Sequence, residues 1–142
     1  MSRKSILYFV GLLLLTLPMS GCKKVEGPGG AATIQGRIFI TEYDSAENAI
    51  NSYFAPKFDV YIIYGEDGDE TYFDDDVETS YDGTFKFRFL EPGKYRIFFY
   101  EDCNNSQLPT CYSGKVVTIK EVTINDKKEV VDLGTMDVYE RF

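Results

Sequence analysis

The chain has 142 residues, with 15 Lys plus Arg against 23 Asp plus Glu, a formal charge of −8, and neither His nor Trp. That length suits one folded domain, and the acidic balance opposes binding to nucleic acid or other polyanions. Without His the usual neutral-pH general base is missing, and with it every Ser–His–Asp or Cys–His set. The 11 Tyr and 11 Phe point to a sheet-rich core.

Met1-Ser2-Arg3-Lys4 is basic, and Ile6 to Leu17 is an apolar run. A run of about a dozen residues is too short to span a bilayer as a helix, which needs about 20. It matches the apolar centre of a secretory signal. Ser20-Gly21-Cys22 then resembles the bacterial lipobox, where small residues precede a cysteine that receives a diacylglyceryl group; Met19 stands where Leu is usual. The resemblance implies cleavage after Gly21 and an acylated Cys22, held stably in a membrane because two or more chains anchor where one does not. An ordinary secretory signal with Cys22 incidental is the alternative. Lys23, not Asp, follows the cysteine, which by similarity to Gram-negative sorting patterns implies the outer membrane and leaves the membrane face open. Residues 1–21 are thus read as a lipoprotein signal peptide, 22–32 as lipidated cysteine and flexible tether, and 33–142 as the folded domain. Loss of Arg3 and Lys4 with the signal leaves 13 basic residues and a formal −10.

Period-two alternation dominates the rest. Ile34, Gly36, Ile38 and Ile40 share one face of a first strand. Asp44 to Phe54 breaks the pattern: Ala46, Ala49, Ile50, Tyr53 and Phe54 have helical spacing, with an Asp44/Glu47 capping box and Pro56 as a stop. This predicts a short helix, or else a loop crossing between sheets. Phe58, Val60, Ile62 and Tyr64 resume the alternation.

An acidic run follows. Asp67, Asp69, Asp74, Asp75 and Asp76 are the candidate ligands for a loop calcium ion. Spacing from Asp67 reaches EF-hand positions at Asp69, Thr71, Asp75 and Glu78, but Tyr72 occupies the place where that loop requires glycine. A solvated acidic loop with no cofactor is the preferred reading.

Phe85, Phe87 and Phe89 alternate cleanly, and Tyr95, Ile97 and Phe99 do so in the next strand. Asp82-Gly83 supplies the positive φ of a tight hairpin, and Pro92-Gly93 matches the centre of a type II turn. Val77–Ser80, Thr84–Leu90 and Lys94–Tyr100 are therefore expected as a meander. Cys103 and Cys111, the pair left once Cys22 is acylated, read as a disulfide in an oxidising envelope. A metal or redox pair is the weaker reading, because C-x-x-C spacing and His are lacking. Val117 and Ile119 are out of phase with Val122 and Ile124, which predicts a bulge near Lys120-Glu121. Val131, Leu133, Met136 and Val138 break phase similarly around Gly134. About seven short strands with dense turns indicate an all-β fold, a single antiparallel β-sandwich.

Thr79-Ser80-Tyr81-Asp82-Gly83-Thr84-Phe85-Lys86-Phe87 and Leu90-Glu91-Pro92-Gly93-Lys94-Tyr95 resemble the carboxypeptidase-regulatory-like domains, transthyretin-like (prealbumin-like) Greek-key sandwiches of the wider Cna-B kind. The specific part of the match is residues 79 to 97, and Thr79-Ser80 replaces the usual Thr-Asp opening. The resemblance implies structural roles for Gly83, Phe85, Phe87, Pro92, Gly93 and Tyr95, the last burying its ring with its hydroxyl on a backbone group, in the manner of a tyrosine corner. It carries no catalytic set, since such domains are usually non-catalytic accessory modules.

Tyr61, Tyr72, Phe73, Tyr81, Phe98, Tyr100 and Tyr112 exceed what one core face absorbs. Flat aromatics serve as platforms for sugars, and Tyr is common at protein interfaces; both faces of a central strand being partly buried is the competing explanation. The expectation is a non-enzymatic, membrane-anchored envelope lipoprotein that presents a binding module to a protein or glycan, with no nucleic-acid partner. The alternative is a structural subunit of an outer-membrane complex without a ligand site.

Overall fold

The computed structural model describes residues 25–65, 72–107, 111 and 113–142. They form eight strands: β1 (Pro28–Tyr43), β2 (Ala49–Phe54), β3 (Asp59–Tyr64), β4 (Asp75–Glu78), β5 (Thr84–Leu90), β6 (Gly93–Asp102), β7 (Lys115–Ile124) and β8 (Val130–Arg141). No helix occurs among the described residues. β1 is the spine of a first four-stranded sheet: β8 runs parallel along one edge, while β5 and then β2 pair antiparallel with successive parts of the other. The second sheet has the order β4-β3-β6-β7 and is antiparallel throughout. The all-β sandwich is the fold, and among the described residues the parallel β1–β8 pair is the one departure from antiparallel order.

One core lies between the sheets. Ile34, Ile38 and Ile40 of β1, Phe85 and Phe87 of β5, and Met136 and Val138 of β8 meet Val60 and Ile62 of β3, Tyr95, Ile97 and Phe99 of β6, and Val122 and Ile124 of β7. Each of these strands alternates so that one face is apolar, and two such faces stacked together remove both from water.

The expected meander does not form. β4 pairs with β3, β5 with β1, and β6 with β3 and β7, so the chain changes sheet at each of the two turns. The apolar stripes of β5 and β6 therefore face each other across the core instead of lying side by side. Gly83 sits at the first change, with φ of 77°. Its carbonyl accepts from Ile38 N–H at 2.9 Å, and Ile38 C=O accepts from Ala55 N–H at 3.0 Å, so Ile38 is where β1 passes from β5 to β2. A Cβ at Gly83 would stand 2.5 Å from the Ile38 carbonyl oxygen, so the position needs glycine for space as well as conformation. At the second change Gly93 has φ of 159° and opens β6, in place of the type II geometry expected after Pro92.

Three further expectations are corrected. Asp44–Phe54 is a β1–β2 hairpin, not a helix: the Asp44 carboxylate accepts from the N–H groups of Ala46 and Asn48, both at 2.9 Å, and Glu47 adopts φ of 61°. The Asp44 side chain closes a turn rather than capping a helix. β7 has no bulge, since it pairs with β6 in one unbroken register from Gly93↔Ile124 to Asp102↔Lys115. Val117 and Ile119 lie on its outer face and Val122 and Ile124 on its inner one. Phe89 does not enter the core. Ala32 pairs with Leu90 and Thr33 with Arg88, which leaves Phe89 as an extra residue on a bulge, with φ of 61°, while Leu90 takes the buried place.

Tyr95 is 1% exposed, and its hydroxyl donates to Glu91 C=O at 2.6 Å and accepts from Gly27 N–H at 3.1 Å. Cys103 and Cys111 are joined, Cα atoms 6.5 Å apart, in the β6–β7 connection. Thr79, which opens the Thr-Ser motif, is buried, and its hydroxyl accepts from Phe58 N–H and donates to Ala55 C=O, tying the β2–β3 turn.

Candidate functional site

Strand pairing settles which side chains share the outer face of the second sheet, because directly opposite residues point the same way. Asp76, Tyr61, Phe98 and Ile119 form one row across β4, β3, β6 and β7. Asp59 on β3 lies beside Glu78 of β4, and Tyr100 of β6 beside Val117 of β7, forming the next row. Phe73, just before β4, completes the group. The ring centroids of Tyr61 and Phe98 are 5.1 Å apart with planes 19° off parallel; Phe73 stands 4.7 Å from Tyr61, and Tyr100 meets Tyr61 and Phe98 edge to face at 5.8 and 5.9 Å.

Four of the seven unplaced aromatics thus form one cluster on a solvent face. Phe98 is only 4% exposed because its neighbours cover it, whereas Phe73 is 49% and Tyr100 45% exposed. Val117 and Ile119 extend the apolar surface towards the free edge of β7. The remaining aromatics divide: Tyr72 is exposed beside Phe73, Tyr81 is exposed on the β4–β5 turn, and Tyr112 lies outside the described residues.

One flank of the cluster is acidic. Among the described residues the carboxylates of Asp59, Asp76 and Glu78 have neither hydrogen bond nor ion pair. The Tyr61 phenol is pushed above its ordinary range by loss of solvent and then by the charge of Asp59, with Tyr100 and Asp76 adding to it. The phenol is therefore neutral at physiological pH. The face offers apolar ring surface, a hydroxyl and hydrogen-bond acceptors, a set suited to binding.

The proposed calcium ligands are only partly in view, because Asp67 and Asp69 lie outside the described residues. Asp74 accepts from Tyr64 N–H at 2.7 Å, Asp75 accepts from Asp76 N–H at 2.9 Å, and Asp76 lies in the row with Tyr61. No group of three or more His, Cys, Asp or Glu side chains converges among the described residues. On the first sheet a shallow depression of about 240 Å³ lies beside the bulge at Gly134; Gln35 donates across its rim to Asp132 at 3.0 Å.

No known family model matches the chain, and no curated protein matches it. Solved structures similar to it include the following two. A candidate carbohydrate-binding protein from Pseudomonas aeruginosa is 12% identical over 80% of this chain and 91% of that one, with a TM-score of 0.45. (S)-Allantoin synthase is 12% identical over 77% of this chain and 42% of that one, with a TM-score of 0.37.

Proposed function

We propose that this chain is a non-enzymatic, lipid-anchored envelope protein that uses the outer face of its second sheet to hold a partner. The aromatic cluster of Tyr61, Phe73, Phe98 and Tyr100, placed on a solvent face beside carboxylates that are unpaired among the described residues, carries the reading. Soluble domains rarely leave such a group open without use. Tyr61 has Phe98 and Phe73 as ring neighbours, so it presents its edge and hydroxyl rather than a flat platform. Val117 and Ile119 continue the surface with aliphatic side chains, which favours a protein partner over a glycan, whose rings stack on aromatic faces. The acidic flank selects a neutral or basic partner and disfavours polyanions.

The anchor follows from the lipobox-like Ser20-Gly21-Cys22, with the outer membrane as its destination. Kinship with the carboxypeptidase-regulatory-like domains is part of the same reading, supported by the turn residues around Gly83 and by the Tyr95 hydroxyl on Glu91 C=O.

Two experiments test this. Cys22→Ala should abolish membrane partition and the acyl mass; retention of both would sink the anchor. Affinity capture and a glycan array, each run with wild type and with Tyr100→Ala, test the site. Partner binding lost in the variant supports it, and equal binding by both proteins removes it.

A further inference from the structure

We infer that the end of the sandwich where the N-terminal segment enters docks onto the bilayer surface, with Phe89 as its apolar contact. This rests on acylation of Cys22, proposed above. Phe89 is 67% exposed at φ of 61°, a backbone region that a bulky L-residue rarely adopts. The bulge thus turns an aromatic ring outward from a strand whose other apolar residues, Phe85, Phe87 and Leu90, are buried.

The ring stands next to the tether. Pro28 pairs with Leu90, Gly27 C=O accepts from Glu91 N–H at 2.9 Å, and Gly27 N–H is held by the Tyr95 hydroxyl. The chain is therefore fixed from Gly27, only five residues after Cys22, and covalent geometry allows at most about 18 Å between them. A thioether-linked lipid at Cys22 keeps this end at the membrane. Val25 and Val130 are exposed here too, at 73% and 60%. Val130 and Arg88 flank Thr33 on opposite sides, and Arg88, Lys127 and Lys128 are exposed where they meet lipid phosphates. Of the nearby acids, Glu91 is buried and Glu129 accepts from the N–H groups of Asn125 and Asp126, while Glu26 is half-buried beside Gly93 and Asp126 is exposed. The acidic stretch after Tyr64 also departs from this end, so apolar insertion of Phe89, more than net attraction, carries the contact. Docking in this way leaves Tyr100, well along β6, clear of the bilayer.

The chain has no Trp, so one indole can report its own surroundings. Phe89→Trp is prepared in the acylated mature protein and reconstituted into vesicles of phosphatidylethanolamine and phosphatidylglycerol. Tyr81→Trp, at the opposite end and 88% exposed, serves as the water reference. The expected result is blue-shifted emission at position 89 and several-fold stronger quenching by acyl-brominated lipid than at position 81. Val130→Trp, at the docking end, is a second reporter should the change at 89 disturb the bulge, and quenching above the position-81 reference is again expected. Water-like emission at both 89 and 130 in protein whose mass shows acylation overturns the docking alone. A mass showing unmodified Cys22 overturns the anchor and the docking together.

Discussion

Tyr61 and Phe98 stack across the β3–β6 pair on the solvent side of the sheet, with ring centroids 5.1 Å apart. The contact explains how Phe98, pointing away from the core, is as buried as a core residue. It also separates two roles within one cluster. Phe98 supports its neighbours, while Tyr100 and Phe73 present open ring surface. Phe98→Ala should therefore cost about 3 kcal/mol, the lower end for a buried aromatic. Tyr100→Ala should change stability by less than about 1 kcal/mol, as expected at an exposed position, yet remove partner binding. Urea unfolding of both variants, beside the capture assay, checks the separation.

Tyr95 joins three parts of the chain through one side chain: its ring packs in the core, and its hydroxyl ties the Glu91 carbonyl to the Gly27 N–H. Tyr95→Phe keeps the ring and leaves those buried backbone groups short of a partner, at a cost of about 1–3 kcal/mol. Tyr95→Ala adds the cavity and should cost roughly 3 kcal/mol or more. Amide exchange at Gly27 should rise in both variants, and an unchanged rate would show that the hydroxyl does not hold the entering segment.

The Cys103–Cys111 bond closes a short loop between β6 and β7. In the chain-entropy account a loop of this size contributes roughly 2.5 kcal/mol. Native protein should show no free thiol at either position, and reduction should lower the denaturant midpoint accordingly. Because Cys103 is buried, labelling of both cysteines in native protein would contradict the bond.

Asp102 gives a pH dependence of definite sign. Burial acts to raise its carboxyl, but the Lys115 ammonium at 2.7 Å and the Arg141 N–H at 2.9 Å outweigh this and hold it below the ordinary range. A folded value below the unfolded one stabilises the protein above about pH 4 and is lost as the pH falls through the folded value. The melting temperature of wild type should drop between pH 5 and pH 3, the span around the ordinary Asp value of about 3.9. Asp102→Asn should reduce that drop without abolishing it, because Asp44, Asp82 and Asp132 are also held low by hydrogen bonds. An identical slope in the variant would assign the effect to those other carboxylates.

Much of the sandwich was legible along the chain. Alternation alone placed Ile34, Ile38 and Ile40, Phe85 and Phe87, and Tyr95, Ile97 and Phe99 on core faces, because a pleated strand sends every second side chain the same way. The turn residues marked Gly83, and the motif around Tyr95 implied a buried ring with its hydroxyl on a backbone group. These are local properties, set by a few consecutive residues. What lies beside a strand is not local. That β4, β5 and β6 alternate between sheets, that Asp44 closes a turn, that Phe89 is squeezed out at a bulge, and that Val117 and Ile119 face outward without one all depend on partners distant in sequence. The aromatic cluster belongs to the same class. Tyr61, Phe73, Phe98 and Tyr100 carry no spacing that unites them, and only the register of β3 against β6 brings them onto one face.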